Sequence, residues 1–179
     1  MRTGGFVVGM VLSFVCASTA RAEPAPPLEL SASLLAGVGV SGRSQDSTQA
    51  HYGFGYGGRA GVTLPARVYF GASFVHFAGS DSRSERVYTN TLDAEVGYEF
   101  RLLHDLIALR PQLALGVVQA VTIQSDNAGY PLGLHAAPAV LVGLRLRPLL
   151  ISAEIRRDFV FDDWWPDATT VLFGAGVVF

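Results

Sequence analysis

The stretch VYTNTLDAEVGYEFR, Val87–Arg101, alternates in chemistry with a period of two. Tyr88, Leu92, Ala94, Val96, Tyr98 and Phe100 fall on one parity, and Thr89, Thr91, Asp93, Glu95, Gly97, Glu99 and Arg101 on the other. Successive side chains of a strand point to opposite faces, so this segment has one apolar face and one charged face. No soluble helix tolerates the pattern, because a 3.6-residue period would spread the charges around its circumference. The segment is also well beyond the roughly 5–6 residues of an ordinary globular strand.

The same alternation recurs along the chain. With Val87–Arg101 as the fourth, eight strands are predicted: Leu28–Ser41, Tyr52–Leu64, Val68–Ala78, Val87–Arg101, Ala108–Ile123, His135–Arg147, Leu149–Phe161 and Thr170–Phe179. The third is the least clean, since aromatics occupy both parities. The connections alternate as well. Long polar segments, GRSQDSTQAH, GSDSRSER, QSDNAGYPLGL and DDWWPDA, follow the first, third, fifth and seventh strands. Short ones around Pro65-Ala66, His104-Asp105 and Pro148 follow the second, fourth and sixth. Long connections on one side and tight turns on the other are the pattern of a transmembrane barrel. The strand lengths meet the roughly 9–11 residues that a tilted strand needs to cross a bilayer.

Composition bounds the same reading. Half of the chain is hydrophobic, yet after Ala22 no apolar run approaches the roughly 20 residues of a spanning helix. Met1–Ala22 has the plan of a secretory signal peptide: Arg2, the apolar stretch FVVGMVLSFV, then Ala20-Arg21-Ala22, with cleavage expected before Glu23. Residues 23–179 are then a single barrel domain. Cys16, the one cysteine, leaves with the leader, and the residues before it lack the pattern of a lipid attachment site. All basic residues are arginine, and after cleavage eleven face fifteen Asp and Glu. That acidic balance offers no footprint for nucleic acid.

Hydrocarbon offers no partner to backbone polar groups, so strands span only as a closed sheet. The expected fold is therefore all-β, an eight-stranded antiparallel transmembrane up-and-down β-barrel, apolar outside and polar inside. Phe70, Tyr98, Phe100 and Phe179 fall at the periplasmic boundary, and Tyr52, Phe54, Tyr88, Phe159 and Phe161 at the outer one, as two aromatic girdles. A soluble lipocalin-like binder would show the reverse, a polar exterior and an apolar lumen.

From Leu28 to Phe179 the chain resembles the small eight-stranded outer-membrane barrels, the OmpX type and the transmembrane domain of OmpA. The resemblance implies a Gram-negative outer-membrane location, contact with outer-membrane lipid, and recognition by the barrel-assembly machinery of Phe179 with Val177 and Phe173 behind it. The periplasmic peptidoglycan-binding domain that follows the OmpA barrel has no counterpart in these residues, so cell-wall anchoring is not implied.

The inward faces carry the most pointed polar set: Glu29, Arg59, Asp93, Glu95, Glu99, Arg101, Arg110, Arg145, Arg147, Glu154, Arg156 and Asp158. A turn at His104-Asp105 sets Glu99 opposite Arg110, and an ion pair between them is expected. Eight strands leave a lumen just wide enough for side chains to fill, so the charges should pair across it. Two readings follow: a structural plug, which the narrowness favours, or a narrow passive channel for ions or small solutes gated by Glu and Arg pairs.

Other features carry less. The glycine patterns at Gly37–Gly42 and Gly53–Gly58 satisfy G-x-G-x-x-G but open no helix, so they mark room in a narrow lumen rather than a cofactor cradle. His51, His76, His104 and His135 show no metal-pair spacing, and His135 is expected inward as part of the charge network. No cofactor or metal is expected. The His-x-Ser-Asn pattern of outer-membrane deacylases is missing, and Ser73 and His76 fall on opposite faces, so no enzyme is expected. Trp164 and Trp165, amid acids in the last long connection, fit a surface for an extracellular partner or an interfacial anchor, and the interface, where Trp is at home, favours the anchor.

Overall fold

The computed structural model describes residues 28–41, 52–80, 86–122, 132–161 and 167–179. They form the strands β1 (Glu29–Ser41), β2 (Phe54–Thr63), β3 (Val68–Ser80), β4 (Arg86–Tyr98), β5 (Phe100–Leu102), β6 (Ile107–Thr122), β7 (Leu132–Leu146), β8 (Leu149–Val160) and β9 (Ala168–Val178). β4 and β5 are one strand interrupted at Glu99, whose N–H donates to the carbonyl of Arg67 at 2.8 Å. The nine segments are therefore eight strands.

Every pairing is antiparallel between neighbours in sequence, and the sheet closes on itself through β1 and β9, from Ser31 opposite Val178 to Ser41 opposite Ala168. Beyond that ladder Leu30 and Phe179 exchange both backbone hydrogen bonds, at 2.9 and 3.1 Å. Closure leaves no free edge and ties down the final residue. Short turns at residues 64–67, 103–106 and 147–148 join the strands at one end. Leu103, His104 and Asp105 all take left-handed backbone conformations, which His and Asp tolerate better than most residues. The long connections lie largely outside the described residues, as do the leader and Trp164-Trp165.

The alternation sorts inside from outside as expected. Leu34 on β1 is 77% exposed while its neighbour Leu35 is buried in the lumen. Such a continuous apolar exterior is unfavourable in water and suits a bilayer. On β3 the ambiguity resolves with Tyr69, Ser73, Val75 and Phe77 inside and Phe70 and Phe74 outside. Glycine makes the inward rings possible: a Cβ at Gly61 would lie 2.4 Å from the Tyr69 ring, and one at Gly55 2.5 Å from Phe77.

One girdle residue is a correction. Tyr52 was expected on the lipid face at the outer boundary, but it is 5% exposed and lies in the barrel mouth with Leu35, Val75, Phe77, Ala168 and Leu172. Its ring meets Phe77 edge to face at 5.1 Å. Strand parity does not govern it, because β2 begins only at Phe54. Gly39 leaves the space, since a Cβ there would sit 2.6 Å from Tyr52 Cβ.

Candidate functional site: the charged interior

The buried charges stack in three tiers along the barrel. At the short-turn end, β1 supplies Glu29, the β4–β5 junction Glu99, β5 Arg101 and β7 Arg145. Arg101 and Arg145 each bridge both carboxylates, with Arg101 Nε 3.0 Å from Glu99 Oε1. Arg147 also reaches Glu29, but it stands in the turn with its side chain 59% exposed, so it caps the tier rather than filling it.

In the middle tier Arg59 of β2 holds Glu95 of β4, Nε to Oε2 at 2.9 Å, and reaches across to Glu154 of β8. Ser73 Oγ donates to Glu95 at 2.7 Å, and Tyr69 Oη lies 3.4 Å from the same carboxylate. Arg110 packs its guanidinium 3.5 Å above the Tyr69 ring, and its Nε donates to Gln112 Oε1 at 2.9 Å.

The tier toward the long connections is built on Arg156 of β8. Its Nη1 lies 3.0 Å from Asp93 Oδ2 and its Nε 3.4 Å from Asp158 Oδ1, while Nε also donates to Thr170 Oγ1 at 3.0 Å. His135 completes it, with Nε2 2.6 Å from Asp93 Oδ1 and Nδ1 3.5 Å from Asp158 Oδ1. Each ring nitrogen thus faces a carboxylate, one from β4 and one from β8.

The expected ion pair between Glu99 and Arg110 is not formed. Register does bring the two residues opposite, since Gly97 faces Gln112 and Phe100 faces Leu109. The Glu99 carboxylate instead turns to Arg101 and Arg145, and Arg110 turns to Tyr69. Two guanidiniums already satisfy Glu99, and an aromatic face gives Arg110 an attractive partner in a desolvated site. Tyr69, Gln112 and Thr170 join the network although the sequence reading names none of them, and Ser73 joins it from the inward face rather than as a nucleophile. Their signal was parity: each shares the inward face of a strand that carries the named charges or lies beside one. Six carboxylates meet five enclosed guanidiniums, with Arg147 at the mouth and His135 inside also facing carboxylates, so each buried acid has a basic partner near it. Ser73 and His76 lie on opposite sides of the wall, and His76 bonds instead to Asn90 at 2.8 Å.

Together the wall and the interior define a class: a bilayer-spanning barrel with paired charges in its lumen. The chain has the fold of the small eight-stranded outer-membrane β-barrels of the OmpX and OmpA type. Neisserial surface protein A superposes with a TM-score of 0.64 at 14% identity, over 84% of this chain and 96% of that one. Ail, the attachment invasion locus protein of Yersinia pestis, gives 0.57 at 14% identity, over 85% and 97%. The N-terminal β-barrel domain of Pseudomonas aeruginosa OprF gives 0.53 at 18% identity, over 83% and 97%. No family model matches the chain, and no curated protein matches it in sequence.

Proposed function

We propose that this chain is an integral protein of a Gram-negative outer membrane with a structural or surface-interaction role, and that its charged lumen is a plug. Cleavage before Glu23 releases the leader, and the barrel-assembly machinery inserts the chain through the signal at Phe173, Val177 and Phe179. No catalytic step is part of this reading.

The observation that carries the plug is the cross-lumen bridging in every tier. Arg145 joins Glu29 to Glu99, Arg59 joins Glu95 to Glu154, and Arg156 joins Asp93 to Asp158. Each bridge ties one side of the barrel to another. Beside the lowest tier the enclosed space is a cavity of about 20 Å³, lined by Arg110, Arg145, Glu29 and Glu99 among others, room for one water. An ion passing through would have to part pairs whose separation leaves charge buried and unmatched.

With the lumen filled, recognition falls to the long connections. Ail, which shares this fold, has been solved in complex with the heparin analogue sucrose octasulfate. Here the Trp164-Trp165 connection is the segment best equipped for an extracellular partner, with two large amphipathic rings among acids.

The test is electrical. Residues 23–179 are refolded in detergent, checked by circular dichroism and by the heat-dependent gel shift of a closed barrel, and added to a planar bilayer. A folded, silent barrel supports the plug and directs the search to the connections. Discrete openings altered by Glu99→Gln would overturn it in favour of a passive channel gated by interior Glu and Arg pairs.

A further inference from the structure

Arg156 and Asp158 point into the lumen, so Arg157 between them points out, onto the face that meets lipid. Most of this wall is aliphatic and aromatic, and polar groups such as Arg86, His76 and Asn90 lie apart on β3 and β4, so Arg157 is the cation on the β8 part of the wall. Its position is near a boundary: the exposed Phe159 follows one rung toward the long connection, with its ring centroid 5.8 Å from the guanidinium carbon.

The wall is notched at the same rung. β7 and β8 pair at His135 with Val160 and Ala136 with Phe159, then resume only at Ala139 with Arg156. Two rungs are skipped, Ala137 opposite Asp158 and Pro138 opposite Arg157; Pro138 has no N–H to give to the ladder, and proline inside a paired strand marks such a break. A groove of about 310 Å³ opens there, with Pro138, Val140 and Ile155 lining it and Arg157 and Thr169 beside them. The groove is apolar along its length and cationic at its rim.

Among the described residues, Arg157 has two partners for its donors. Nη1 donates to Thr169 Oγ1 at 2.9 Å, and Nη2 lies 3.4 Å from Asp167 Oδ2, a pair in which both side chains are 42% exposed. A guanidinium has five N–H donors, and an ion pair so long and so exposed contributes little.

We infer that Arg157 and the Pro138 notch form a binding site for a phosphate-bearing lipid of the leaflet nearest the long connections. The phosphate takes the open donors of Arg157, and one acyl chain lies along Pro138, Val140 and Ile155. A free anion would gain nothing from the groove, and an uncharged lipid nothing from the guanidinium. Arginine is the side chain best matched to phosphate oxygens. The site lies on the outer wall, so it stands whether the conductance test finds a plug or a channel.

The experiment is native mass spectrometry of the protein purified in mild detergent, with phosphatidylglycerol as the probe. Wild type is expected to retain one lipid. Arg157→Gln should lower retention roughly five-fold, the effect of one arginine at an anionic membrane surface. Pro138→Leu, which fills the notch and keeps the cation, should lower it too, whereas Arg86→Gln, at an exposed arginine on β4, should not. Each variant is first shown to fold by the heat-dependent gel shift. Retention at the wild-type level by Arg157→Gln or by Pro138→Leu overturns the site. So does displacement of the lipid by inorganic phosphate, equal retention of a diacylglycerol of matched chains, or a protein dimer in place of the lipid adduct.

Discussion

Replacing Arg59 by methionine tests whether the interior is dry. The change keeps the side chain's length and removes its charge, leaving two buried carboxylates without their shared partner. Glu95 retains Ser73 Oγ at 2.7 Å and Tyr69 Oη at 3.4 Å, but Glu154 keeps no side-chain hydrogen bond of comparable quality among the described residues. Stranding one partner of a buried pair costs about 3–5 kcal/mol. The bonds left to Glu95 place Arg59→Met near the lower end, roughly 3 kcal/mol. Arg110→Met is the internal comparison. It gives up one hydrogen bond and the stacking on Tyr69 but strands no directly paired carboxylate, and is expected to cost about 1–2 kcal/mol. Combining Arg59→Met with Glu95→Gln and Glu154→Gln removes the unmatched charge and should recover most of the loss. Urea unfolding of the refolded barrel in lipid vesicles, followed by tryptophan fluorescence and gel mobility, measures all of these. If Arg59→Met unfolds within about 1 kcal/mol of wild type, no more affected than Arg110→Met, the carboxylates are hydrated by lumen water. The plug then loses its physical basis.

Tyr52→Ala should cost roughly 3 kcal/mol in the same assay, the loss of a large buried ring packed on Phe77, whereas a lipid-facing Tyr52 would give a far smaller effect. Phe179→Ser should lower the yield of inserted barrel while leaving the melting of the inserted fraction nearly unchanged. The bonds to Leu30 are backbone bonds that any residue can make, and the Phe179 side chain is 75% exposed. Normal insertion of Phe179→Ser in cells would remove the assembly role assigned to that residue.

Much of this architecture was legible before any coordinates. Asp93, Glu95 and Glu99 alternate with Leu92, Ala94, Val96 and Tyr98, and parity alone places the first set inside a barrel once the sheet must close. The same logic put Arg59, Arg110, Arg145, Glu154, Arg156 and Asp158 in the lumen, and all of them are buried there. It failed where no ladder enforces it: Tyr52, two residues before β2, turned inward.

Partner choice was not legible in the same way. The turn after Leu102 determined that Glu99 would face Arg110, and the register agrees, yet the ion pairs run to Arg101 and across the lumen to Arg145. Parity and hairpin register are local properties, carried by the alternation of side chains and the length of a turn. Contacts across the lumen depend on where closure of β1 on β9 brings opposite walls, and on which of several long side chains wins each carboxylate. The sequence by itself therefore determined the strands, their order and their inward faces. Only the tertiary structure decided the pairing inside, because closing the sheet brings together residues as far apart in the chain as Glu29 and Arg145, and no local pattern encodes that distance.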